Sequence, residues 1–193
     1  MYKRQANRIQ EVLDTKLTIE DGSGVHGDPD KTGEIVFDKV SFRYPDAEED
    51  VLKDISFTAG KGETVALIGA TGCGKSTVIN LIPRFYDATE GTVSVDGVNV
   101  KDYSQKELRN KIGYVSQKAT LFTGTIESNV AYGDNGQKNA SETDIKKALD
   151  IAQASEFVDS LEDGSKAYVA QGGSNFSGGQ LSLIHISEPT RLR

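Results

Sequence analysis

Thr64-Val-Ala-Leu-Ile-Gly-Ala-Thr-Gly-Cys-Gly-Lys-Ser-Thr77 joins a short apolar run to a glycine-rich turn that ends in a lysine and two hydroxyl residues. Thr64–Ile68 has the continuous apolar character of a parallel strand buried on both faces. Ser76 to Phe85 reads as a helix. Between them, Gly69-x4-Gly74-Lys75-Ser76 matches the phosphate-binding P-loop in the strand-to-helix setting that this chemistry requires. Gly69, Gly72 and Gly74 let the backbone curl until several N–H groups face one anion. A helix beginning near Lys75 adds its positive dipole end to the β-phosphate of a nucleotide. Lys75 supplies a mobile ammonium to the β- and γ-phosphates, and the Ser76 hydroxyl is an oxygen ligand for Mg²⁺. Thr71, Cys73 and Thr77 complete the candidate nucleotide contacts of the loop. Cys73 lies where a helix N-terminus lowers a thiol pKa, but a small residue that fits a crowded turn is the reading preferred here.

Strand signals surround the loop. Ile35 to Tyr44 and Ile55 to Thr58 mix alternation with β-branched and aromatic residues. Thr92 to Val100 predicts a hairpin with Asp96-Gly97 at its turn, and Lys111-Ile-Gly-Tyr-Val115 a second buried strand. After Gln117 the composition turns helical, over Thr125 to Tyr132, Glu142 to Ala152 and Glu156 to Leu161. Early strands followed by a helical block predict an α/β core carrying a helical subdomain. Ala6 to Leu13 has Ile9, Val12 and Leu13 at helical spacing. Asp21 to Gly33, rich in glycine and aspartate, has almost nothing to bury and is expected to be mobile.

Composition narrows the function. With 36% hydrophobic and 26% charged residues the chain is an ordinary globular one. No run approaches the roughly 18 apolar residues of a membrane span. A net charge of −7, without a block of Lys and Arg, disfavours nucleic acid as a partner. The single Cys73 forms no internal disulfide, which fits a reducing setting. Two ends break the pattern. Tyr2 to Gln5 can be encoded by TAT AAG AGA CAG, whose reverse complement reads Leu-Ser-Leu-Ile, the residues Leu181 to Ile184. Inverted flanks of this kind are what a transposase-inserted sequencing adapter leaves when translated, chance among degenerate codons being the alternative. Residues 1–5 and 181–193 are therefore expected to be adapter-derived, with the genuine protein running from Ala6 to Gln180.

Beyond the P-loop, Ser177-Gly178-Gly179-Gln180 resembles the signature motif of the ABC proteins, although Phe176 stands where a leucine is usual. Tyr44, in Phe-Arg-Tyr-Pro, resembles the aromatic A-loop residue that stacks on adenine. Gln117, ending Ile-Gly-Tyr-Val-Ser-Gln, resembles the Q-loop glutamine that touches Mg²⁺ and senses the transport domain. Ala119 to Val130 resembles the exporter branch, whose members join transport and nucleotide-binding domains in one polypeptide. The resemblance implies an α/β fold: a P-loop NTPase core with an antiparallel β subdomain and a helical subdomain, incomplete here. It makes residues 6–33 a linker from a transmembrane domain and residues 34–180 a partial nucleotide-binding domain.

The same resemblance implies binding of ATP and Mg²⁺, with Ser76 and Gln117 at the metal. It implies transport driven by ATP hydrolysis, at the cytoplasmic face of a membrane, for a multidrug or lipid exporter. Its partners would be the transmembrane domain and a second nucleotide-binding domain, as homo- or heterodimer. Catalytic residues are left unassigned, because no apolar strand ending Asp-Glu and no switch histidine follow the signature motif in this sequence. His185 and Glu188 lack that strand and are not given those roles. Without it, apolar edges are expected beside Thr64–Ile68, and the half-site of Ser177, Gly178 and Gly179 at the start of the following helix is expected to be poorly held. A soluble ABC ATPase of DNA repair or translation is the alternative.

Overall fold

The computed structural model describes residues 8, 10, 13, 14, 17–132 and 140–190, the last three without their side chains. Most of the expected helix over Ala6–Leu13 lies outside these residues. Arg8, Gln10 and Leu13 are helical, and Asp14 N–H donates to the Gln10 carbonyl at 2.8 Å. The chain divides into two compact units, Met1–Leu108 and Arg109–Arg193.

The first unit is built on four antiparallel strands in the order β2-β1-β3-β4: β1 (Ile35–Phe42), β2 (Leu52–Ala59), β3 (Glu90–Val95) and β4 (Val98–Asn99). Phe37 sits opposite Phe57 on β2 and Val93 on β3. Its ring stacks on that of Phe57 at 4.6 Å. Phe37, Val40 and Phe42 are all buried, although strict alternation would send Val40 outward. The bulge between Phe37 and Val40 resets the period. Lys39 and Asp54 take φ of 50° at the irregular positions. Their freed N–H groups donate to Ser56 Oγ at 2.9 Å and Ser41 Oγ at 3.1 Å. Gly91 faces the same bulge, where a Cβ would stand 2.2 Å from the Lys39 carbonyl oxygen, so only glycine fits. The expected hairpin is present: Asp96 and Gly97 both have positive φ, the geometry of a type I′ turn. Helices α1 (Lys75–Leu81) and α2 (Gln105–Asn110) complete this part. Val78, Leu81 and Leu108 are buried on them.

Two expectations fail in this unit. Asp21 to Gly33 docks through its main chain: Gly22 N–H donates to Tyr103 O at 3.1 Å and Asp28 N–H to Asp96 O at 2.8 Å. Asp96 Oδ1 accepts from Gly33 N–H at 2.7 Å, and Asp21 Oδ1 accepts from Gln105 N–H at 2.6 Å. At Gly22 a Cβ would stand 2.4 Å from the Tyr103 carbonyl oxygen, so the small residue permits the close approach. The second failure is the strand Thr64–Ile68, which joins no sheet and is exposed, Ile68 to 94%. A parallel strand is made by its neighbours, and no strand among the described residues pairs with it. Val65, Leu67 and Ile68 are exposed apolar residues of a segment that forms no sheet edge.

The second unit is mostly helical. It holds β5 (Gly124–Thr125), α3 (Ile126–Val130), α4 (Glu142–Ile151), α5 (Ser155–Asp159), β6 (Tyr168–Val169) and α6 (Gly178–Thr190), with β5 and β6 paired antiparallel. The expected strand Lys111–Val115 is not formed, and Val115 is exposed, for the same want of a partner strand. Reciprocal capping boxes start α3 (Thr125 with Ser128) and α4 (Ser141 with Asp144). Ile126, Val130, Ile145, Leu149, Val158 and Val169 form the core. Residues 181–190, set apart above by their codons, form most of α6, which runs to Thr190, with Ile184 buried in that core and Ser187 fully buried. Leu181, Leu183, Ile184 and Ile186 give this helix enough apolar side chain to fill the site whatever its origin.

Buried Asn129 closes the loop ahead of α3. Its Oδ1 accepts from Phe122 N–H at 2.7 Å, and its Nδ2 donates to the Phe122 and Thr125 carbonyls at 2.9 Å. Asn129→Ala would leave these main-chain groups without their partner, at a cost of about 1–3 kcal/mol. For a chain of this size, thermal unfolding followed by circular dichroism should show a melting point about 2–12 °C lower. An unchanged melting point would mean that other bonds hold the loop.

Candidate functional site

Gly72 and Gly74 have φ of 86° and 89°, and Gly74 stands as the N-cap of α1. A side chain at Gly74 would meet Leu52 Cδ2 at 2.8 Å and Val51 Cγ1 at 3.2 Å. At Gly69 it would meet Cys73 Sγ at 2.6 Å. The positive φ and the close contacts call for glycine at Gly74, while a side chain at Gly69 would have to displace the Cys73 thiol. Cys73 N–H donates to the Ala70 carbonyl at 3.3 Å, which closes the turn. Lys75 reaches back across it, its Nζ donating to Gly69 O at 2.8 Å and Ala70 O at 2.7 Å, with Cys73 Sγ at 3.6 Å. Thr71, Gly72, Cys73 and Ser76 are exposed. A cation and an open hydroxyl thus sit together at a helix start, a donor set suited to a phosphate chain and to Mg²⁺, which prefers oxygen ligands.

Thr77, the next residue of α1, points inward and is 5% exposed. Its Oγ1 lies 3.1 Å from the Tyr44 hydroxyl. Tyr44, half-buried just beyond β1, meets Phe42 at 4.8 Å and Tyr86 at 5.2 Å, both nearly perpendicular. The structure therefore brings Tyr44 together with the P-loop helix, two sequence-predicted parts of one site. Tyr86 is a member of this group that the sequence analysis did not single out. The pair Phe85-Tyr86, at the end of the expected helix and before a polar stretch, was the available signal. Arg84 fixes the segment that presents it. Its guanidinium is buried, donates to both Asp87 carboxylate oxygens at 2.7 and 3.2 Å, and reaches Lys101 O at 3.1 Å.

Gln117 and the Ser-Gly-Gly-Gln segment belong to the second unit. Gln117 is exposed. Beside it, Ser116 Oγ donates to Lys118 O at 2.8 Å and lies 3.0 Å from His185 Nε2. Ser177, Gly178 and Gly179 are exposed at the start of α6. Contrary to expectation, this helix start is well held: Ser177 N–H donates to Gln180 Oε1 at 2.9 Å, and Gln180 N–H to Ser177 Oγ at 3.3 Å. That reciprocal pair is a capping box, and Phe176 just before it packs edge-on against Phe157 at 5.8 Å.

A glycine-curled loop that feeds Lys75 and Ser76 into a helix, on an α/β scaffold with a helical unit, makes this a P-loop NTPase fold. The pattern of the ABC transporter family matches residues 52–189, and the chain belongs to that family. It is 40% identical, over 93% of its length, to a Staphylococcus aureus protein named as a multidrug export ATP-binding/permease protein. It is 43% identical over 82% of its length to ABC transporter B family member 21 of Arabidopsis thaliana. A solved bacterial Atm1-family ABC exporter with ATP bound superposes on 97% of the chain with a TM-score of 0.87 and 30% identity. The chain spans only 30%, 12% and 32% of these three relatives. None of the three is a DNA-repair or translation ATPase, so the soluble alternative finds no support among them.

Proposed function

We propose that this chain is the ATP-binding part of an ABC exporter that, in the whole protein, couples ATP hydrolysis to transport across a membrane. The observation that carries the reading is the curled loop of Gly69–Gly74 delivering Lys75 and Ser76 to the start of α1. Lys75 exchanges its bonds to the Gly69 and Ala70 carbonyls for bonds to the β- and γ-phosphates, while loop N–H groups around Thr71, Gly72, Cys73 and Gly74 hold the same anion. Ser76 is the hydroxyl this chain offers to Mg²⁺, which when bound neutralises charge on the phosphates. The resemblance gives Gln117 a Mg²⁺ contact and gives Ser177, Gly178, Gly179 and Gln180 the γ-phosphate of a second nucleotide-binding domain. The transmembrane domain is the other partner, at the cytoplasmic face of the membrane. Nucleic acid is not a partner, in keeping with the net charge of −7.

Titration with MgATP in a calorimeter tests the binding reading, and heat indistinguishable from buffer dilution would reject it. Flanking gene sequence tests the exporter, since membrane spans encoded ahead of residue 6 are expected. Tyr44 supplies the adenine platform, a contact of about 1–3 kcal/mol between an aromatic ring and a base. Tyr44→Ala should therefore weaken MgATP binding about 5- to 150-fold, while Tyr44→Phe, which keeps the ring and loses only the hydroxyl bond to Thr77, should weaken it less. Equal affinities of the two variants would remove the platform role.

A further inference from the structure

We propose that Thr77 and Tyr86 are positioning residues that hold Tyr44 in place as the nucleotide-base platform, so that base affinity depends on two side chains of the P-loop helix and its exit. The proposal rests on the reading of Tyr44 given above.

A tyrosine on the turn after a strand is free to rotate about two side-chain bonds, and its immobilisation on binding costs affinity unless the fold has already fixed it. Here three contacts fix it. The Tyr44 hydroxyl is 3.1 Å from Thr77 Oγ1, which is itself buried and therefore unable to exchange this partner for water easily. The ring meets Phe42 at 4.8 Å with an interplanar angle of 85°, and Tyr86 at 5.2 Å with 88°. Phe42 and Tyr86 also touch, at 5.5 Å, so the three rings form a closed cluster in favourable edge-to-face and tilted geometries.

The sources of these contacts give the arrangement its meaning. Thr77 stands directly after Lys75 and Ser76 on α1. Tyr86 follows the same helix, on a segment anchored by the Arg84–Asp87 pair. The hydroxyl bond therefore ties the base platform to the helix that carries the phosphate ligands, and the Tyr86 ring braces it from the helix exit. Tyr44 stays half-exposed, which leaves part of its surface open to a base. Thr77 does not have to touch the nucleotide through its side chain to affect recognition. It acts through Tyr44.

The full chain and its variants test this by calorimetry with two probes, MgATP and magnesium inorganic triphosphate. Thr77→Val keeps the shape of the side chain and deletes the hydroxyl. It should weaken MgATP about 2- to 12-fold more than it weakens triphosphate, the worth of one neutral hydrogen bond. Thr77→Ser should restore parental ATP affinity. Tyr86→Ala should show the same selective loss, with Tyr86→Phe restoring it. Because Tyr44→Phe and Thr77→Val delete the same bond, their double variant should be no weaker than either alone. The proposal is overturned if Thr77→Val binds ATP like the parent, or if it loses ATP and triphosphate equally, which is damage to the loop itself. If Tyr86→Ala fails to fold by circular dichroism, the Thr77 and Tyr44 variants still decide. A Tyr44→Ala variant with parental ATP affinity removes the platform and the brace together. A weakened Tyr44→Ala alongside parental Thr77→Val and Tyr86→Ala removes the brace alone.

Discussion

The 193-residue chain is expected to bind ATP without turning it over, its phosphate release matching that of a Lys75→Ala control. Holding the phosphates needs the loop, whereas attack on the γ-phosphate needs an oriented water. General-base positioning is worth about 10²- to 10⁴-fold in rate. No strand among the described residues pairs with Thr64–Ile68, the place from which a neighbouring strand would present a carboxylate. The measurement is a phosphate-release assay at saturating ATP on this chain and its Lys75→Ala variant. Phosphate release that disappears on Lys75→Ala would show that a catalytic group is present after all, with Glu188 the next residue to replace.

Lys75→Ala is the second large effect. An ammonium bound to phosphate oxygens contributes about 1.5–3 kcal/mol, the range for hydrogen bonds to charged groups. Loss of that contact should weaken MgATP about 10- to 150-fold by calorimetry. In the folded chain the same ammonium donates to the Gly69 and Ala70 carbonyls, so the substitution also loosens the loop. Lys75→Arg separates the two contributions. Its longer, planar head keeps the charge but not the position of Nζ, and should recover part of the affinity at most. Equal affinity in Lys75→Ala and the parent would end the P-loop assignment.

The parts of the fold legible in the sequence are those with local causes. Asp96-Gly97 specifies its turn because both positions need positive φ, and the strands on either side follow from it. Ser141 and Thr125 mark helix starts through their own capping bonds. The P-loop is legible because its glycines, lysine and serine act within one stretch of chain. Thr64–Ile68 and Lys111–Val115 were misread because an apolar run signals burial without supplying the neighbour that buries it. The docking of Asp21–Gly33 was invisible for another reason. Its bonds run through the main chain, and side-chain composition carries no record of them. The bracing of Tyr44 by Tyr86 depends on β1 and the exit of α1 meeting in space, which no spacing in the sequence encodes. The burial of Ile184 was missed because codons, rather than packing, had set residues 181–193 apart.

The docked segment of residues 21–33 has a mechanical consequence. A flexible tether would let anything attached ahead of it swing about Gly33, and would absorb a pull by lengthening. Here the main chain is fastened at Gly22, Asp28 and Gly33 to Tyr103 and Asp96, with Asp21 on the first turn of α2. The pivot therefore moves forward to residues before Asp21, and the slack that those residues would have provided is gone. A displacement arriving at Leu17–Glu20 is passed as a push or pull on the β3–β4 hairpin turn and the start of α2, in the manner of a short crank rather than a rope.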